Sequence, residues 1–300
     1  MHKLYDDRVG KDFQAEKSAD DIQIILKALG YDNVPEDILF RLSILSKKVE
    51  NKSSHFQDAL EISEIIDNLL PENSSDRELN ELRAACLLHD IGKSGPDVAD
   101  QETQRAWVDF YNLNFSLPEY NGKRPSELTL SEALKIKVEE AVLNSEREEE
   151  LLRLLLNQTG RIISPDTKLI DMWSAHAYWT YDILTLAGMD RRLIEIASSH
   201  HLLEGHDPAG LGVDGAFESQ ATLELVDKYQ AHRIRLIIVD KYQAFVKRGG
   251  KTHEEAVAIL RQNIERIFTE KSKNRQIYLD VLALILEKKD LLEQEMDLNN

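Results

Sequence analysis

The chain is short of the residues that staple or anchor other classes of protein. It holds one cysteine, Cys86, in 300 residues, so no intramolecular disulfide can form. Its longest uninterrupted aliphatic run, VLALIL at 281–286, falls far below the roughly 18 residues that mark a membrane span. The opening MHKLYDDRVGKDF lacks the apolar core of a secretory signal. These absences predict a soluble chain in a reducing, cytoplasmic setting with no membrane partner. Positive charge is also in deficit: 37 Lys and Arg stand against 54 Asp and Glu, a formal net charge of −17. That balance argues against DNA and anionic lipid as partners, so any phosphorylated ligand has to be attracted locally. With only 7 prolines and 13 glycines, little interrupts regular structure.

What is present is helical periodicity. Apolar residues recur at three- and four-residue steps, which predicts an all-α bundle. Asp20 and Asp21 precede Ile22, Ile25, Leu26 and Leu29, a capped helix closed by Gly30, and Pro35 opens a second carrying Ile38, Leu39, Leu42 and Leu45. Residues 56–70 form a third helix and 76–89 a fourth, whose Leu79, Leu82, Ala85, Cys86, Leu87 and Leu88 widen the apolar stripe until it is buried all round. Residues 97–165 differ in texture, with Trp107, Phe110, Tyr111, Phe115 and Tyr120 followed by an acidic helix over 131–157 that carries EREEE on a solvated face. They read as an insertion. The helical pattern resumes from Asp166 through His176 and Leu184, restarts with Asp190 as a cap, and reaches His200 and His201. A loop with Gly205, Pro208, Gly210, Gly212 and Gly215 follows, the best candidate for a ligand-facing surface. Residues 218–245 are again helical, and Thr252 with Glu255 opens a capping box. The chain divides into a helical segment over 1–50, a central unit over 51–270 with the insertion, and a helix and polar tail over 271–300.

Chemistry gathers where carboxylates interrupt apolar runs. Asp90 follows His89 at the end of the fourth helix in the string HDIGK, and Asp240 ends LIIVD. An ionised carboxylate in such surroundings costs several kcal/mol, on the order of what pairing, hydrogen bonding or metal binding must return. Cys86, on the buried face three residues before His89, reads as a small core residue and not a nucleophile.

In order along the chain stand His55, RAACLLHDIGK over 83–93, AHAYWTYDIL around His176, ASSHH over 197–201, and LIIVDKYQAF around Asp240 followed by THEEA. This set resembles the HD superfamily of metal-dependent phosphohydrolases, and within it the HD-GYP branch, over roughly residues 50–265. The resemblance implies an HD-domain helical bundle and two divalent ions, Fe or Mn. His55, His89, Asp90 and Asp240 would hold one, Asp90, His176, His200 and His201 the other, with Asp90 bridging. Imidazole nitrogen and carboxylate oxygen suit such ions. Some relatives bind a third ion through a glutamate four residues before the first histidine; Asn51 stands there, which predicts two metals. The implied reaction is attack of a metal-bridging hydroxide on phosphorus. Lys93 would contact the substrate phosphate, and Lys247 and Arg248 fall near the expected phosphate-binding arginine, Arg248 displaced by about one position.

Relatives with an intact loop after the paired histidines hydrolyse cyclic di-GMP. Here HHLLEGHDPAGLG places Leu202 where a glutamate is expected, with Leu211 and Gly212 for the tyrosine and proline of the GYP string. The departure touches the substrate more than the metal chemistry. A cyclic dinucleotide phosphodiesterase is the leading expectation. A di-iron oxygenase of the HD fold and a non-catalytic nucleotide-sensing module are the alternatives. The insertion begins beside Lys93, where it suits a lid or substrate-selecting subdomain as well as a peripheral decoration. His206 reads as an exposed loop residue, and His2, His232 and His253 match no motif.

Overall fold

The computed structural model describes residues 17–47, 53–70, 74–113, 115, 119–156, 163–210, 223–268, 270, 272, 274–290 and 292, with backbone alone for 223–228. The readings made on His2, Asn51, Leu211, Gly212, Gly215 and the tail after Leu292 lie outside them. Among the described residues the fold is all-α, with twelve helices and no strand. The helices are α1 Ala19–Ala28, α2 Glu36–Leu45, α3 His55–Leu69, α4 Asp76–Leu88, α5 Gln101–Asn112, α6 Leu130–Glu139, α7 Ser145–Leu156, α8 Leu169–Leu186, α9 Arg191–Ala197, α10 Leu223–Gln243, α11 His253–Ile267 and α12 Arg275–Glu287. No helix among them is long and apolar enough to cross a membrane.

Short polar side chains start most of these helices, because each accepts a backbone N–H that has no partner inside the helix. Ser54, Asp100 and Asp190 cap α3, α5 and α9. Ser18, Ser75, Thr129 and Thr252 form complete capping boxes at α1, α4, α6 and α11. Ser18 takes the cap of α1, with Asp21 as the reciprocal partner, where the sequence pointed to Asp20 and Asp21. The single acidic helix expected over 131–157 is two. Val142 and Leu143 both donate to the Lys137 carbonyl and Ala141 adopts a left-handed conformation (φ 58°), so α6 ends in a reversal that glycine usually provides, and Asn144 caps α7.

In the core α3, α4, α9 and α10 pack in a ring, α8 packs on α9, and the 3₁₀ turn Ile91–Ser94 is held between α8, α2 and α5. That turn lies against α8 at a distance only glycine permits: a Cβ on Gly92 would fall 2.0 Å from the His176 carbonyl oxygen and 2.7 Å from the Thr180 amide nitrogen. The Gly92 N–H donates to Thr180 Oγ1 at 3.1 Å, and that hydroxyl donates to the His89 carbonyl at 2.9 Å. Gly95, at φ +86°, then turns the chain away with Trp107 filling the space beside it.

The segments outside the ring are built into the same core. From the N-terminal part, the buried Arg41 donates to the carbonyls of Ser94, Gly95, Pro96 and Asp97 and to Ser94 Oγ, gathering the chain beyond Lys93 into one clasp. From the insertion, Trp107 is fully buried with its ring centroid 4.6 Å from that of Trp179 on α8. Leu130 and Leu169 exchange backbone hydrogen bonds with Thr167 and Leu128, tying α6 to the start of α8. The EREEE run keeps its expected place on a largely solvated face, with Arg147 paired to Asp109 and Glu150.

Gly92→Ala forces the turn off α8 and lowers unfolding free energy by about 1–3 kcal/mol, the usual cost of overpacking a well-filled core. Urea unfolding measures it, and an unchanged midpoint contradicts the close-approach argument.

Candidate metal centre

Each residue of the expected ligand set sits at an element end or on an inward helix face. His55 is the first residue of α3, and His89 and Asp90 join α4 to the 3₁₀ turn. His176 occupies the middle of α8, His200 and His201 follow α9, and Asp240 lies near the end of α10. The fold links them in one chain of short contacts. Asp90 faces two ways: its Oδ1 lies 3.1 Å from His176 Nε2 and 3.7 Å from His200 Nε2, while its Oδ2 lies 2.5 Å from Lys93 Nζ and 3.5 Å from His89 Nε2. His89 Nε2 is also 3.7 Å from Asp240 Oδ1. Lys93 completes the link to His55, whose Nδ1 is 3.3 Å from the ammonium.

Hydrogen bonding fixes which ring nitrogens are left for a ligand role. His89 Nδ1 lies 2.6 Å from the Cys86 carbonyl and His200 Nδ1 lies 2.9 Å from that of Ala197. A carbonyl only accepts, so both rings carry a proton on Nδ1 and turn Nε2 inward. His89 Nε2 is buried and makes no hydrogen bond, whereas His55 accepts from the Lys93 ammonium at Nδ1 and so carries its proton on the buried Nε2. His176 Nε2 lies 2.8 Å from His200 Nε2 and 3.1 Å from His201 Nε2, and one proton cannot serve all three. The ligand atoms of His176, His200 and His201 all fall within 4.8 Å of one another. Lone pairs crowded in this way, next to a two-faced carboxylate, fit a bound cation better than any arrangement of protons.

Except at His89, the electrostatics agree with ligand protonation states. Burial works against charge on Asp90 and Asp240, but His89 and Lys93 beside the first, and Lys241 and His89 beside the second, hold both carboxyls well below their ordinary range. Burial, with neighbouring positive charge, drives His55, His200 and His201 well below the ordinary imidazole value, and burial also lowers His176. For His89, burial is outweighed by Asp90 and Asp240, so its pKa rises. Ionised carboxylates and neutral imidazoles are the forms that bind metal.

Three contributors escaped the sequence reading. Lys241 Nζ reaches Asp240 Oδ2 at 3.2 Å and Glu204 Oε1 at 3.0 Å. Glu204 Oε2 lies 3.2 Å from His201 Nδ1, a carboxylate braced against the outer nitrogen of an inward-facing imidazole. The only signals in the sequence were a cation directly after Asp240 and a carboxylate three residues beyond His201. Tyr111, from the insertion, donates to the Met172 carbonyl at 2.6 Å and packs edge-on against His176 at 5.6 Å, holding a ring whose Nδ1 makes no hydrogen bond. The expected phosphate-contacting cations separate. Lys247 is paired with Glu61 and lies 3.7 Å from Asp58, whereas the exposed Arg248 has no ion-pair partner among the described residues, and its charge reaches His55. His206, read as exposed, is half-buried, its ring 6.4 Å from that of His201.

No protein-family model matches the sequence, and neither a curated protein nor a solved structure matches the chain. Because Glu204 orients His201 from outside, Glu204→Ala weakens metal affinity by about 10–100-fold without removing a ligand. Chelator competition on metal-loaded protein measures this, and an affinity equal to wild type removes Glu204 from the site.

Proposed function

We propose that the chain is a metal-dependent phosphohydrolase acting on a small phosphodiester, with a cyclic dinucleotide as the substrate that the HD-GYP resemblance suggests. The observation that carries this reading is the two-faced Asp90, one oxygen toward His176 and His200 and the other toward His89 and Lys93. One divalent ion would be held by His89, Asp90 and Asp240, to which His55 is joined through Lys93, and a second by Asp90 with His176, His200 and His201. When bound, such ions stabilise phosphoryl oxygens as Lewis acids and lower the pKa of a water nucleophile.

The chain's own residues supply the rest. Lys93, buried between Asp90 and His55, places an ammonium where charge builds on the phosphoryl group, and a cation held in a buried site acts more strongly there than in water. Arg248 stands on a π turn, Ala244–Arg248, in which Gly249 N–H reaches back five residues to the Ala244 carbonyl. A π turn adds one residue to the helical register, which matches the one-position displacement of Arg248, and its guanidinium, without an ion-pair partner among the described residues, is open to a substrate phosphate. Lys247, neutralised by Glu61, holds α10 to α3 instead. Tyr111 walls the site on the insertion side, with Trp107 packed behind it. In the reaction the water oxygen bonds to phosphorus as one ester P–O bond breaks, and the released alcohol takes up a proton. No oxidant is needed.

Metal quantification with turnover of bis-p-nitrophenyl phosphate and cyclic dinucleotides tests the reading. Asp90→Ala loses both metal and hydrolysis. Lys93→Ala retains metal and loses about 100-fold or more in kcat, the scale of one electrostatic stabiliser. Wild-type protein that takes up no stoichiometric Mn or Fe and cleaves none of these esters overturns it.

A further inference from the structure

A cavity of about 300 Å³ adjoins the metal centre between the turn Leu202–Glu204, the end of α10 and α11. Its walls are Leu203, Phe245 and Leu260, and its polar groups are Glu204, Lys241, Asn263 and Arg266. Lys241 and Glu204 are the same side chains that touch Asp240 and His201, so the inner wall is one side chain away from the ligand set.

We infer that this cavity is the subsite for the non-reacting end of the substrate, and that it takes a planar heteroaromatic ring carried next to negative charge, as in a nucleoside phosphate. The inference rests on the phosphohydrolase reading and adds the residues that select the substrate. Aliphatic and aromatic walls favour a flat ring over a sugar or a bare phosphate, and a volume at the lower end of small-molecule pockets suits one ring system. Asn263 and Arg266 are three residues apart on α11, neighbours on one helix face. Arg266 Nη2 donates to the Asn263 side-chain oxygen at 3.4 Å, which leaves the Asn263 amide donors free to read a ring edge. In a chain of net charge −17, Arg266 has no carboxylate partner among the described residues. Lys241 is neutralised by Asp240 and Glu204, so Arg266 is the cation at this cavity that is open to an anionic group.

The metal-loaded full chain is tested with two phosphodiesters that share a p-nitrophenol leaving group, methyl p-nitrophenyl phosphate and thymidine 5′-p-nitrophenyl phosphate. The nucleoside ester is expected to have a kcat/KM about 10-fold or more higher, the scale of stacking one base. Asn263→Ala and Arg266→Ala each collapse that ratio through KM, whereas Lys93→Ala lowers both rates and leaves the ratio. Hydrolysis without a preference, or a preference that survives both substitutions, overturns the subsite and leaves the phosphohydrolase reading standing. If neither ester is cleaved, the phosphohydrolase reading fails and calorimetric binding of thymidine 5′-monophosphate decides the subsite. Binding weakened about 10-fold by either substitution supports it; absent or indifferent binding overturns it.

Discussion

Two carboxylates buried at the centre of a helical bundle have to be answered by positive charge, and most of the structure serves that requirement. Removing such ions from water costs several kcal/mol each, on the order of a small domain's whole stability. Asp90 and Asp240 meet it with one ammonium apiece, Lys93 and Lys241, and with His89 between them. Lys93 reaches Asp90 because a 3₁₀ turn sets them three residues apart, and the turn is in place because Gly92 lets it touch the α8 backbone. The same contact brings His176 within 3.1 Å of Asp90, so the packing of one glycine and the geometry of the ligand set are a single fact.

The turn is held from outside as firmly as from within. Arg41 gathers the carbonyls that follow Lys93, and a buried guanidinium donating to several acceptors is costly to lose because it would leave each of them unpaired. Trp107 and Tyr111 close the other side by packing on Trp179 and His176. Segments that look peripheral in the sequence, the N-terminal helices and the insertion, are the braces of the centre. The insertion contributes packing rather than expected ligands.

Charge is distributed against the average. The chain carries a large excess of acid, yet Lys93, Lys241, Arg248 and Arg266 gather around the buried carboxylates and the adjoining cavity, while acidic runs such as EREEE lie on solvated faces. Exposed charges act only over a Debye length of about 8–10 Å, so the local sign governs a small anion. Long polyanions still meet the acidic exterior. The net charge and the phosphodiester proposal are compatible for this reason.

Most of the helices, and the caps Asp190 and Thr252, were legible because they follow from local rules: a short polar side chain, then apolar residues at helical spacing. Asp90 and Asp240 stood out too, since a carboxylate inside an apolar run is marked by its desolvation cost, whereas the candidate histidines came from the family resemblance alone. The break between α6 and α7 was hidden, because Ala141 takes a conformation usually left to glycine and only the surrounding hydrogen bonds impose it. The division between Lys247 and Arg248 was hidden too: whether a cation is free depends on Glu61, far away along the chain. Glu204 and Lys241 sat in view, but nothing local says that one braces His201 and the other Asp240. By itself the sequence determined the all-α class and the residue types able to hold a cation. The tertiary structure alone decided which way Asp90 faces, which imidazole nitrogens point inward and which cations remain unpaired, because those depend on distances of a few ångströms between helices remote in sequence.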